Sequence, residues 1–163
     1  MTNSPLGVFE QLVDQQLEDL EIIRRCLVGE SQAFSERKVP KITVIAEKKA
    51  KHAERVNQLT AHLNRLLTTS GYSADKQGVE QLFVQYASDP KVTDVKKKWQ
   101  KLIVLTRKCQ SDNAENAGFA SVVQQFYREA LSILTPQTTK SQATYLADGM
   151  ASSEKSNRSL GSA

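Results

Sequence analysis

Cysteine, proline and glycine are scarce in this chain of 163 residues, which contains two, four and seven of them. The two cysteines, Cys26 and Cys109, lie in no Cys-x-x-Cys or Cys/His spacing, so we expect free reduced thiols and neither a disulfide framework nor a metal site. Alternating runs of β-branched residues are also rare. Because little interrupts helices and little favours strands, the sequence predicts an all-α fold.

Long apolar runs are absent as well. No segment approaches the roughly 20 apolar residues that a membrane-spanning helix needs. The first residues, Met1 to Pro5, lack the charged start and apolar middle of a signal peptide. We therefore expect a cytoplasmic protein that does not insert into a membrane.

Motifs for catalysis are missing too. His52 and His62 lie ten residues apart with no acid or nucleophile at matching spacing. The chain has no glycine-rich phosphate loop and no His-Glu-x-x-His motif. We expect no enzyme activity, no catalytic or metal-binding residue and no cofactor, and we expect His52 to be a packed core residue.

What the sequence does contain is heptad patterning. Large apolar residues recur at alternating spacings of three and four from Pro5 to Phe34, from Ile42 to Leu66 and from Val92 to Leu134. A tight turn at 36–40 and a short amphipathic piece at 79–86 separate these stripes. The pattern predicts an antiparallel bundle of three long helices with a short connecting helix. The second stripe is the richest in large aliphatic residues, so its helix is predicted to be the best packed.

The charges are distributed unevenly. Residues 1–36 carry seven acidic and two basic residues, whereas residues 37–67 carry two acidic and eight basic ones. The opposite signs favour side-by-side pairing of the first two helices. A cluster of lysines precedes the long third stripe: Lys96, Lys97, Lys98 and Lys101. A solvated helix face explains this cluster better than a phosphate site, and nucleic-acid association remains the alternative.

The composition changes after Leu134. Residues 135–142 are rich in Thr, Gln, Ser and Pro, and residues 144–163 are small and polar with few apolar points. Such a segment cannot bury enough surface to fold alone. The predicted domains are a helical bundle at 1–134 and a linker with a flexible C-terminal tail at 135–163.

The seam of the long third helix becomes polar near its middle. Asn113 and Asn116 occupy seam positions, and Gly118 follows before large apolar residues return. An asparagine on a seam is a common device that sets helix register, whereas a glycine leaves room for another backbone to approach. The helix is also predicted to be roughly 20 Å longer than its neighbours. Both interpretations, register device and room for a further helix, are open at this point.

Several segments resemble the FlgN-type flagellar export chaperones. The first stripe, with Leu20, Ile23, Leu27, Glu30 and Ala33-Phe34, is similar to the opening helix of that family. Residues 109–118 resemble its Asn-x-x-Asn-Gly element, with Ala117 inserted before the glycine. Tyr145-xxx-Gly149 and the last six residues resemble its C-terminal tail.

The resemblance implies a cytoplasmic chaperone of type III export. Such proteins hold hook-filament junction proteins by their C-terminal helical ends and deliver them to the export gate. Together with the seam pattern it predicts client-binding residues Asn113, Asn116, Gly118, Ala120, Val123, Tyr127, Ala130 and Leu134. Tyr145 is expected to dock at the export gate. A coiled-coil structural adaptor is the other alternative function. The client surface has two alternative occupants: the C-terminal tail, folded back, and a second copy of the chain in a weak homodimer.

Overall fold

A computed structural model describes residues 4–134, with the side chains of these residues except 123, 126, 127 and 130–134. The elements are α1 (Pro5–Ser35), α2 (Val39–Thr69), α3 (Lys76–Gln85) and α4 (Val92–Leu134). No strand occurs within this described range. The predicted all-α class, with three long helices and one short helix, is confirmed.

α4 is shared between two units, because the boundary between them follows residue 120, within the helix. The first unit contains α1, α2, α3 and most of α4. The domain boundary predicted after Leu134 lies at the last described residue and stays a prediction.

α1 and α3 begin where the sequence supplies a side-chain cap, whereas α2 has no such cap. Ser4 Oγ accepts a hydrogen bond of 3.2 Å from the Gly7 N–H, and Pro5 occupies the first turn of α1. Asp75 caps α3 in the same way and accepts a bond of 2.9 Å from the Gly78 N–H. This cap makes α3 begin three residues earlier than the predicted start at Val79.

α1 and α2 run antiparallel, as predicted. Gln16 Nε2 donates to Thr60 Oγ1 at 2.8 Å, whereas further along α1 the partner of Glu30 is Lys49, earlier in α2. This pair joins the acidic first helix to the basic second one, as the charge distribution predicted.

α4 returns parallel to α1. Cys109 Sγ lies 3.7 Å from the Leu20 carbonyl oxygen, and Asn116 Nδ2 lies 2.9 Å from that of Leu27. The residue numbers of the contacting pairs therefore rise together along α1 and α4. With α2 antiparallel to α1, the three long helices have an up-down-up order.

The core of the first unit is aromatic where α1, α3 and α4 meet. The Phe9 ring is fully buried, and its centroid lies 5.5 Å from those of Phe83 and Trp99. Leucine and valine side chains extend this core. The buried members on α2, α3 and α4 are Leu63, Leu67, Val79, Leu82, Phe83, Val92, Val95, Leu102, Leu105 and Cys109.

The prediction that α2 is the best-packed helix is wrong. α2 has three buried residues, Leu59, Leu63 and Leu67, whereas α1 has eleven. α1 contacts both other long helices, so more than one of its sides is covered. Ile42 and Ile45 near the start of α2 are only half-buried. The number of large apolar residues on a helix stripe therefore does not predict how many neighbouring helices cover it.

Candidate functional site

Asn116 is the buried polar residue of the α4 seam, with 6% of its surface exposed. Its Nδ2 donates to the Leu27 carbonyl oxygen at 2.9 Å and to Glu30 Oε2 at 3.2 Å. Both acceptors belong to α1. The amide nitrogen is thus used inside the bundle, which supports the register interpretation for this residue.

Asn113 lies one turn earlier and is exposed. Its Oδ1 accepts a bond of 2.8 Å from Lys49 Nζ, which also pairs with Glu30 Oε2 at 2.8 Å. Glu30 itself is 3% exposed. Through this lysine, α4 is tied to α2 as well as to α1. The client contacts predicted for Asn113 and Asn116 stay predictions.

The region of α4 around Gly118 is largely exposed to solvent. A side chain at Gly118 would meet nothing within 4 Å, so no other helix of the described part approaches its backbone. Ala120 is half-buried. Phe119 and Val122 are 50% and 67% exposed. These two large apolar residues were missed by the sequence analysis, although their spacing of three places them on one helix face.

The remaining predicted client residues lie on the helical backbone of α4. They are Val123, Tyr127, Ala130 and Leu134. Their side chains are outside the described part, and Tyr145 lies wholly outside the described residues. Their predicted roles therefore stay predictions.

The lysine cluster at the start of α4 makes contacts within the protein. Lys98 Nζ lies 2.7 Å from Glu10 Oε1 and 2.9 Å from Asp14 Oδ2, and its bonds to these two carboxylates raise the pKa of Lys98. Lys97 pairs with Asp94, and Lys96 lies over the Phe83 ring. This arrangement favours the structural interpretation of the cluster over a phosphate site.

His52 is paired instead of simply packed in the core. Its Nδ1 lies 2.7 Å from Asp19 Oδ1, and Arg55 Nε lies 3.4 Å from Asp19 Oδ2. Asp19 is 2% exposed. The histidine therefore belongs to a buried contact between α1 and α2 that spacing alone did not reveal.

The two thiols are free, as predicted, and both are buried. Removal from water raises the pKa of Cys26 and that of Cys109. Because thiolates are the reactive form, burial and a raised pKa both disfavour reaction at these thiols. In the described part, no three metal-ligating side chains gather at one place.

Within residues 4–134, no helix has an apolar stretch long enough to cross a membrane. The first unit is a helical bundle with a buried polar network, and exposed apolar residues stand at positions 119 and 122 of α4. This combination places the protein in the class of all-α helical-bundle proteins.

The chain belongs to the FlgN protein family, which matches it over residues 7–153. Neither a curated protein nor a solved structure matches the chain. Members of the FlgN family are flagellar export chaperones that bind flagellar proteins. Family membership therefore supports a general chaperone role in flagellar export.

Proposed function

We propose that this protein is a cytoplasmic chaperone that binds the C-terminal helical ends of hook-filament junction proteins and delivers them to the flagellar export gate. Family membership supports the export role, and the resemblance described above supplies the class of client. The observation that carries the proposal is the exposed apolar surface of α4 at Phe119 and Val122.

This surface suits an amphipathic client helix. Phe119 and Val122 are neighbours on one helix face, and apolar residues that cluster in this way usually mark a binding site. Gly118 adds open space beside them, where a client backbone has room to approach. The predicted residues Val123 and Tyr127 extend the apolar sequence of the helix towards its end.

The client helix supplies the apolar stripe that complements this surface. A tail that folds back, or a second copy of the chain, competes with the client for the same residues. Competition of this kind is compatible with chaperone function, because a tighter client displaces a weaker occupant. In this proposal the bundle at 1–134 binds the client, and the tail at 135–163 contacts the export gate during delivery.

Replacing Phe119 and Val122 together by aspartate is expected to weaken client binding at least tenfold, or about 1.4 kcal/mol. The two aspartate side chains put charged carboxylates at the positions against which the client's apolar residues would pack. Isothermal titration with purified junction proteins measures the affinity, and circular dichroism checks the helical content. The double variant Val123→Asp/Tyr127→Asp tests the neighbouring predicted residues in the same way.

Val104 provides the matched control for this experiment. It lies on α4 and is 65% exposed, within the bundle part of the helix. Val104→Asp is expected to bind the client like the parent. If both double variants are folded and also bind like the parent, this surface is not the client site.

Changing Tyr145 to alanine is expected to leave folding and client affinity unchanged while reducing secretion of the client. A single aromatic residue in a polar segment contributes little to the bundle, so its loss affects delivery alone. Secretion of junction proteins by a strain carrying the variant measures the effect. Normal secretion at normal chaperone levels would rule out a gate-docking role for Tyr145.

A further inference from the structure

A concave surface lies in the first unit, between the last turns of α1 and the middle of α4. It is a groove of about 430 Å³ whose lining includes Leu27, Val28 and Ser31 of α1 with Glu115 and Asn116 of α4. Because α1 and α4 run parallel here, the groove follows the direction of two helices. A third helix packs naturally along such a groove.

The apolar part of the groove is exposed. Val28 is 57% exposed, although Leu27 beside it is buried in the core. Phe119 lies one turn beyond Glu115 on the same face of α4, because residues four apart are neighbours on a helix. The groove therefore presents one valine on α1 and leads towards one phenylalanine on α4.

The charged part of the groove is acidic. Asp112 is paired with Lys108 at 2.7 Å. The charge of Glu115 also helps to raise the pKa of Lys108, but the Glu115 carboxylate forms no ion pair or hydrogen bond with the described residues. The last turn of α1 contains no basic residue, so the negative end of its helix dipole lacks a cation on its own helix. Two independent features thus favour a positively charged partner at this end of the groove.

We propose that this groove receives an amphipathic helix that packs an apolar side chain on Val28 and brings a lysine or arginine to Glu115. The proposal rests on the proposed function, because the occupant is the helical end of the junction-protein client. The client then contacts α1 as well as α4. The groove supplies charge selectivity, which the apolar residues Phe119 and Val122 cannot supply.

The variants Val28→Asp and Glu115→Lys test the two halves of the proposal. The probes are purified C-terminal fragments of the hook-filament junction proteins from the same organism. Val28→Asp is expected to weaken binding of the fragment at least tenfold. Glu115→Lys is expected to weaken it at least fivefold at low salt and to flatten the dependence of affinity on salt. Glu115→Gln is expected to have an intermediate effect.

Matched controls separate this site from general charge effects. Val104→Asp introduces the same change at an exposed valine of α4. Glu80→Lys introduces the same change in α3, where the glutamate side chain is 63% exposed. Both controls are expected to bind like the parent. A photocrosslinking residue at position 28 is expected to capture the fragment, whereas one at position 104 is not.

The outcomes distinguish this inference from the proposed function. If no junction-protein fragment binds the parent chain, the proposed function is wrong and the inference fails with it. If the parent binds but Val28→Asp and Glu115→Lys bind equally well, and position 28 does not crosslink, only the inference is overturned. If circular dichroism shows that Val28→Asp is misfolded, Glu115→Lys and the crosslink decide the result.

Discussion

Replacing Phe9 by alanine is expected to lower the free energy of unfolding by about 3–5 kcal/mol, as for other large aromatic residues removed from cores. Phe9 is fully buried, and its ring contacts Phe83 edge-on and Trp99 at a tilt. One side chain of α1 thereby joins α3 and α4. Its removal leaves a cavity where three helices meet, and surrounding side chains can fill such a cavity only in part.

Urea unfolding followed by circular dichroism measures this loss. Phe9→Leu keeps most of the volume and is expected to cost less than about 1.5 kcal/mol. Val44→Ala, at a residue that is 67% exposed, is expected to change stability by no more than about 0.5 kcal/mol. A loss below about 1 kcal/mol for Phe9→Ala would contradict the aromatic core described here.

Replacing Lys49 by methionine is expected to destabilise the protein by about 3 kcal/mol, the lower end of the range for breaking a buried ion pair. The Glu30 side chain is 5% exposed, and Lys49 is its cationic partner at 2.8 Å. Methionine keeps the length of the side chain but removes the charge. The Glu30 carboxylate still accepts the hydrogen bond from Asn116 Nδ2 at 3.2 Å. This remaining bond keeps the expected loss of stability at the lower end of the range.

A second substitution tests the cause of that loss. In the Lys49→Met background, Glu30→Gln removes the unpaired charge and is expected to restore most of the lost stability, since the penalty comes from the buried carboxylate. Lys108→Met breaks an ion pair whose lysine is 63% exposed, so it is expected to cost less than about 1 kcal/mol. Equal losses for Lys49→Met and Lys108→Met would show that Glu30 is not held in a dry environment.

The sequence by itself determined the helices and their order. Heptad spacing predicted α1, α2 and α4, and the prolines at positions 5 and 40 lie in the first turns of α1 and α2. These features are local, because helix periodicity and capping depend on residues within a few positions of each other. The family resemblance could also be read from the order of short motifs along the chain.

Only the tertiary structure decided which atoms the seam residues meet. The sequence left Asn116 between a register device and a ligand-binding residue, because both leave the same polar residue on the same stripe. A register role requires a backbone carbonyl of another helix opposite the amide, and Leu27 supplies one. The client contact predicted for Asn116 stays a prediction. The pairing of Lys49 with Glu30 and the exposure of Val28 were decided in the same way. Periodicity states which face a residue occupies, whereas its partner depends on the rotation and axial position of the neighbouring helix, which packing across the whole bundle sets.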